Sequence, residues 1–90
     1  MNKHHLILPD LGLGDRVVTA SAWLVEMGKE VLAGDRVLEV LCGSVTVDLP
    51  APADGVLVET LVEEDEPLAV GQLLAVIENG NEARRLNDLA

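Results

Sequence analysis

The chain has 90 residues, a formal net charge of −10, and 49 % of its residues in the hydrophobic set. A chain of this length forms one small domain with an economical core. The negative electrostatic potential of such a chain repels phosphate backbones and anionic lipid headgroups. We therefore expect neither nucleic acid nor a membrane surface as partner.

The apolar stretches and the cysteine count indicate the compartment. No apolar run approaches the roughly 20 residues of a membrane-spanning helix, and the apolar stretch after His5 is too short for a signal peptide. Cys42 is the only cysteine, which rules out an internal disulfide. A single thiol fits a reducing compartment, so we expect a cytoplasmic or organelle-matrix protein.

In chain order, residues 1–5 are expected to form an exposed N-terminal arm before a domain over residues 6–78. The arm contains the adjacent pair His4 and His5. Metal ligands on a strand occupy alternate positions that share a face, and no Cys or Asp cluster joins this pair. We therefore predict no metal site.

An internal repeat organises the rest of the chain. Residues 25–40 (VEMGKEVLAGDRVLEV) align without a gap on residues 62–77 (VEEDEPLAVGQLLAVI) at an offset of 37. Gly34 then falls on Gly71, and Val40 falls on Ile77. Two copies of one supersecondary unit indicate a domain with pseudo-twofold symmetry.

Local composition predicts β-strands throughout both copies. Residues 17–25 and 55–62 are rich in β-branched residues and are bounded by Gly, Asp and Pro. Turns are expected near Gly12–Asp15, Gly28, Gly34, Gly43, Gly55 and Gly71. The predicted fold is all-β, a flattened barrel or sandwich with Trp23, Leu24 and the repeated valines in the core. Residues 79–90 are expected to form a short, loosely docked tail with one or two helical turns.

Five segments of the chain resemble the lipoyl domains, which are close relatives of the biotin carrier domains. The resemblance covers residues 6–78 in one register and rests on LPDLG (8–12), AWLVEMGKEV (22–31), GDRVLEV (34–40), VDLPAPADG (47–55) and VGQLLAVIE (70–78). It implies a barrel-sandwich hybrid of two four-stranded antiparallel sheets, as the repeat indicates independently.

The resemblance also locates the attachment site. In lipoyl domains, a hairpin tip reading Glu-Thr-Asp-Lys-Ala presents the lysine that lipoic acid acylates. Here those five places hold Leu41, Cys42, Gly43, Ser44 and Val45, so that Ser44 stands at the position of the modified lysine. The Met-Lys-Met tip of biotin carriers is absent as well. We therefore expect no covalently bound cofactor, with lipoate or biotin as the alternative.

The tip residues allow several interpretations. Leu41, Cys42, Gly43, Ser44 and Val45 form a neutral, partly apolar segment, which makes them candidates for contact with a protein. Ser44 sits in a strand-turn-strand context rather than at the start of a helix, which favours a turn residue over a phosphopantetheine acceptor. Cys42 is expected to be half-buried and structural, since no neighbour in the sequence activates its thiol.

The acidic run at residues 63–66 has two interpretations. Such a run is typical of a solvated turn, and it could also steer a basic partner, because dehydrogenase partners of lipoyl domains recognise acidic surfaces. The sequence offers no supported catalytic triad, no phosphate loop before a helix and no acid pair that can be argued to be buried, so we expect no enzyme but at most a carrier domain of a multienzyme complex.

Two functional hypotheses remain. The first is a lipoyl-like domain without the covalent arm that acts as an interaction or structural module near 2-oxoacid dehydrogenase or carboxylase systems. Its partner would be a dehydrogenase or acyltransferase component. The alternative is an active lipoyl or biotinyl carrier, of the type found in acyltransferase components, that uses Lys29, Ser44 or Cys42 as a nonstandard acceptor.

Overall fold

A computed structural model describes residues 2–80 and contains eight β-strands and no helix in that range. The strands are β1 (Asn2–Ile7), β2 (Val18–Trp23), β3 (Glu30–Val31), β4 (Arg36–Cys42), β5 (Val45–Pro50), β6 (Gly55–Thr60), β7 (Pro67–Leu68) and β8 (Leu73–Asn79).

The strands form two four-stranded sheets with orders β1-β8-β6-β3 and β5-β4-β2-β7. All six strand pairings are antiparallel. The predicted fold class, a flattened barrel-sandwich of two such sheets, is confirmed.

Equivalent hydrogen bonds in the two sheets show the pseudo-twofold symmetry. The amide of Leu24 donates to the carbonyl of Val37 at 2.8 Å, and 37 residues later the amide of Leu61 donates to the carbonyl of Leu74 at 2.9 Å. The strand orders are interchanged by exchanging β1 with β5, β2 with β6, β3 with β7 and β4 with β8. The repeat in the sequence is therefore a repeat in backbone geometry.

Gly28 and Asp65 occupy the same place in the two copies. Their φ angles are 94° and 72°, and Asp65 is the one non-glycine residue with positive φ among residues 2–80. Each amide crosses to a central strand, Gly28 to the carbonyl of Leu57 at 2.7 Å and Asp65 to that of Ala20 at 2.7 Å. The shared crossing bond holds Asp65 in a conformation that suits glycine better.

The core between the sheets is aliphatic. Its most buried side chains, each under 2 % exposed, include Leu8, Leu38, Leu57, Leu74 and Ile77, and no polar or charged residue in the described part of the chain is buried. Burying such side chains stabilises the fold by about 1.5–3 kcal/mol each relative to exposure.

Two of the predicted core residues differ in burial. Trp23 packs against the core from a partly buried position, as expected for a large ring at its rim. Leu24 is 43 % exposed, so its prediction as a core residue was wrong. It follows β2 in a bend, where the alternation of a strand no longer turns its side chain inward.

The chain ends also differ in part from the expectation. Residues 2–5 do not form a separate arm, because they pair with β8, with Asn2 opposite Asn79 and His5 opposite Val76. Leu6 from the same strand enters the core at 6 % exposure, which extends the domain to Asn2. Of the predicted tail at residues 79–90, Asn79 is the last residue of β8, and residues 81–90 lie outside the described part of the chain.

The β1–β2 connection lies at the same end of the barrel as the β4–β5 hairpin. The amide of Leu8 donates to the carbonyl of Gln72 at 3.0 Å, so the chain leaves β1 beside the start of β8. The connection ends at Val18, which pairs with Cys42 at the end of β4. The connection and the hairpin are thus neighbours, and Asn79 lies at the opposite end.

Candidate functional site at the β4–β5 hairpin

A two-residue turn of Gly43 and Ser44 joins β4 to β5, with Cys42 paired to Val45 at its base. Gly43 has a φ of 63°, and Ser44 is not among the residues of positive φ. Glycine at the first central position with only that residue at positive φ is the pattern of a type II′ turn, whose twist matches that of the two strands. The turn places Ser44 at the apex of the hairpin.

The five candidate contact residues divide by burial. Leu41 is 38 % exposed and Val45 is 39 % exposed, while Gly43 and Ser44 are exposed as well. Cys42 is 1 % exposed because alternate residues of β4 face the core. Four of the five residues therefore lie at the surface. Cys42 is fully buried in the interior, so the prediction that it is half-buried was wrong.

Arg16 lies against the hairpin tip, a neighbour that sequence reasoning missed. A Cβ atom placed on Gly43 would lie 3.6 Å from both Cδ and Nη1 of Arg16. The two residues are distant in the chain and share no periodic pattern, so the sequence carries no signal of this approach. The otherwise neutral tip thus has a guanidinium beside it.

A pocket of about 210 Å³ separates the β1–β2 connection from the base of the hairpin. Its walls are mixed: Leu11, Val18 and Leu68 are apolar, and Arg16 is charged. Cys42 contributes to the lining although its side chain is 1 % exposed.

Ser44 has no activating partner among residues 2–80. No hydrogen bond joins its hydroxyl to a histidine, a carboxylate or any other group in that part of the chain. A serine hydroxyl becomes a useful nucleophile only with an adjacent base.

Neither lysine of the chain lies on this hairpin. Lys29 is exposed between β2 and β3, where its amide donates to the carbonyl of Glu26 at 3.1 Å and its carbonyl accepts from Leu57 at 3.0 Å. Lys3 lies on β1 opposite Glu78. Both backbones belong to the body of the barrel rather than to a protruding turn.

The acidic run at residues 63–66 is partly engaged in the fold. Oε2 of Glu64 accepts a hydrogen bond from the amide of Trp23 at 2.9 Å, and Oε1 of Glu66 accepts one from the amide of Glu63 at 3.2 Å. Two of its four carboxylates thus cap backbone donors, which gives the run a structural role beyond solvation.

Two other kinds of site are absent from the described part of the chain. Residues 2–80 contain no group of three or more His, Cys, Asp or Glu side chains that could hold a metal ion. No segment in this range forms a helix suited to crossing a membrane.

Comparisons with known proteins agree with this geometry. A family model described as "Biotin-requiring enzyme" matches residues 4–77. The acetyltransferase component of the acetoin cleaving system of Pseudomonas putida, named for a dihydrolipoyllysine residue, is 39 % identical over 77 residues, which are 86 % of this chain and 21 % of that protein. The corresponding component of the pyruvate dehydrogenase complex of Corynebacterium glutamicum is 33 % identical over 83 % of this chain and 11 % of its own length. The chain therefore spans about a fifth or less of these curated relatives.

Solved structures show the same fold. The lipoyl domain of the 2-oxoglutarate dehydrogenase complex from Azotobacter vinelandii superposes with a TM-score of 0.70 at 22 % identity, covering 86 % of this chain and 98 % of that one. The urea carboxylase of Kluyveromyces lactis gives a TM-score of 0.71 at 19 % identity over 87 % of this chain and 6 % of that one.

Two four-stranded antiparallel sheets related by the repeat form the barrel-sandwich architecture of a carrier-type domain. The chain belongs to the family of biotinyl and lipoyl carrier domains, as its sequence predicted. Domains of this family carry lipoate or biotin covalently for multienzyme complexes and are not themselves catalytic.

Proposed function

We propose that this chain is a lipoyl-type domain without the covalent swinging arm, which serves as an interaction or structural module of a 2-oxoacid dehydrogenase-type complex. One observation carries the proposal: the exposed apex of the hairpin, where lipoyl domains resembling this one present a lysine, holds Ser44. The carrier fold is intact, but the residue at the attachment position is a serine instead of a lysine.

The chemistry of attachment supports this interpretation. A lysine amine forms a stable amide and contributes a long flexible stem. The Ser44 hydroxyl has one carbon between its oxygen and the backbone and would form a hydrolysable ester. Among residues 2–80, no base forms a hydrogen bond with this hydroxyl. Lys29 is exposed, but its place in the β2–β3 connection offers a ligase a surface unlike a hairpin apex.

The surface of the tip is suited to contact with a protein. Leu41 and Val45 expose 38 % and 39 % of their surface, and Arg16 lies against Gly43 of the same hairpin. Apolar side chains with an arginine at their margin are typical of residues that contribute strongly to protein interfaces. The relatives are acyltransferase components by name, so we assign the partner to the dehydrogenase or acyltransferase components of such a complex. The lone thiol fits a cytoplasmic or organelle-matrix location.

The intact mass of the protein isolated from its native source tests the proposal. We expect the mass of the bare polypeptide, with peptide mapping of residues 39–55 showing an unmodified Ser44. A lipoyl, biotinyl or pantetheinyl group on Lys29, Ser44 or Cys42 would overturn the proposal in favour of an active carrier with a nonstandard acceptor.

A further inference from the structure

The β1–β2 connection is longer than its counterpart in the other copy of the repeat. The amide of Gly71 donates to the carbonyl of Leu8 at 2.8 Å, and the amide of Gly34 donates to that of Ala51 at 3.0 Å. Leu8 and Ala51 are therefore equivalent, 43 residues apart, whereas β2 and β6 are separated by the repeat offset of 37. The β1–β2 connection thus contains six more residues than the β5–β6 connection, and it lies at the end of the barrel that carries the hairpin tip.

This longer connection forms one wall of the pocket of about 210 Å³. The opposite wall is apolar: Val18 pairs with Cys42 on β4 and with Leu68 on β7, and directly paired residues lie on the same face of a sheet. Cys42 and Leu68 are buried, so this face is the one that covers the core. Leu11 packs against the same core from the connection. The floor of the pocket is therefore continuous with the hydrophobic core.

Asp15 and Arg16 bring two opposite charges to the lining of this pocket. Among residues 2–80, neither side chain forms a hydrogen bond or an ion pair, with each other or with any other residue. The third charged residue of the lining, Asp10, is engaged in a turn, where its Oδ1 accepts a hydrogen bond from the amide of Gly12 at 2.8 Å. The pocket thus presents a cation and an anion beside an apolar floor, and neither charge is used by the described part of the chain.

We propose that this pocket binds a free α-amino acid with an aliphatic side chain. The guanidinium of Arg16 pairs with the α-carboxylate, because its planar fork of donors matches a carboxylate. The carboxylate of Asp15 accepts hydrogen bonds from the α-ammonium group. The side chain of the ligand packs on Leu11, Val18 and Leu68. The volume of the pocket is below the roughly 300–1,000 Å³ of sites for drug-sized ligands, which suits a ligand as small as leucine or valine.

The charge of the chain favours a zwitterion over other ligands of this shape. A net charge of −10 repels a simple aliphatic carboxylate, whereas an amino acid carries no net charge at pH 7. A simple aliphatic amine is repelled by the guanidinium of Arg16 and brings no partner for it. A ligand with both charges pairs with both side chains, so the pocket selects by charge as well as by shape. This inference goes beyond the proposed function, since binding in the pocket is noncovalent and does not depend on what Ser44 carries.

Titration of the isotope-labelled full chain, followed by its amide NMR spectrum, tests the proposal with three probes. The probes are L-leucine, isocaproate, which is leucine without the ammonium group, and isoamylamine, which is leucine without the carboxylate. Each is added to about 20 mM at fixed pH and ionic strength. We expect L-leucine to shift the amides of residues 11–18 and of Gly43 with a dissociation constant of about 0.1–2 mM, and the other two probes to bind at least about tenfold more weakly. No saturable shift with L-leucine, or equal affinity for either analogue, would overturn the proposal.

Two arginine variants with the same change in net charge separate the pocket from the overall charge. Arg16→Gln removes the partner of the carboxylate and should raise the dissociation constant for L-leucine at least about tenfold. Arg36→Gln is the matched control, because Arg36 pairs with Asp48 outside the pocket and should leave the affinity unchanged. Asp15→Asn should abolish the preference for L-leucine over isocaproate. The amide spectrum of each variant verifies that it is folded. Unchanged binding by Arg16→Gln, an equal loss in Arg36→Gln, or a full preference retained by Asp15→Asn would each contradict the proposal.

Discussion

The indole of Trp23 joins the two copies of the repeat: its Nε1 donates a hydrogen bond of 3.1 Å to the carbonyl of Val62. The amide of the same residue donates to Oε2 of Glu64 at 2.9 Å. One side chain in the first copy is therefore fixed to the backbone of the second, at the rim of a core that contains no other aromatic residue.

Replacing Trp23 by Phe should lower the free energy of unfolding by about 1–2 kcal/mol, because the Val62 carbonyl loses its donor and the smaller ring leaves part of its space unfilled. Urea denaturation followed by circular dichroism measures the change, since the variant lacks the only tryptophan. Leu24→Ala removes an adjacent side chain that is 43 % exposed, and it should cost less than about 0.5 kcal/mol. Equal losses in the two variants would contradict the role assigned to the indole.

Gly55 is the first residue of β6 and lies beside Glu78 and Ile77 of β8. Its φ is 155°, and a Cβ placed on it would lie 2.5 Å from the carbonyl oxygen of Glu78 and 2.9 Å from Cγ2 of Ile77. Gly55→Ala should therefore force two paired strands apart and lower the free energy of unfolding by about 1–3 kcal/mol or more. Thermal and urea denaturation measure the loss.

Gly71→Ala provides the matched control for this clash. Gly71 has a φ of 87°, and no atom lies within 4 Å of the place that a methyl group would take, so its substitution adds backbone strain of about 1–2 kcal/mol without overpacking. Denaturation of both variants in one buffer should place the Gly55 variant below the Gly71 variant in stability. The reverse order would show that strand spacing at Gly55 adapts freely.

The sequence predicts the fold because the repeat, the turn residues and the strand composition all agree. It does not predict the lengths of β3 and β7, which are set by pairing with β6 and β2 rather than by composition. The burial of Cys42 was open to prediction, because Val40 faces the core two residues earlier on the same strand. The approach of Arg16 to Gly43 could not be predicted from the sequence, because Arg16 lies in an irregular connection that has no period from which a side-chain direction follows.

The thiol of Cys42 should react slowly with a bulky disulfide reagent in the folded protein. Its side chain is 1 % exposed, so the reagent reaches it only through local opening. Moving the thiol to the apex with Ser44→Cys in a Cys42→Ala background should raise the rate at least about 100-fold. Absorbance of the released thiolate, with and without denaturant, measures both rates. Similar rates in the two folded proteins would contradict the buried position of Cys42.

Ser44→Lys should convert the domain into a substrate for a lipoate ligase, because the substitution supplies an amine at the apex of an intact type II′ hairpin. The exposed turn position has little packing to lose, so the free energy of unfolding should change by less than about 0.5 kcal/mol. Thr46→Lys is the matched control: it places an exposed lysine on the same hairpin, two residues beyond the apex, and should stay unmodified. Intact mass and peptide mapping after coexpression with the ligase distinguish the outcomes. A folded Ser44→Lys chain that remains unmodified would mean that the neutral residues Leu41 and Gly43, and not the missing amine alone, separate this tip from a lipoylated one.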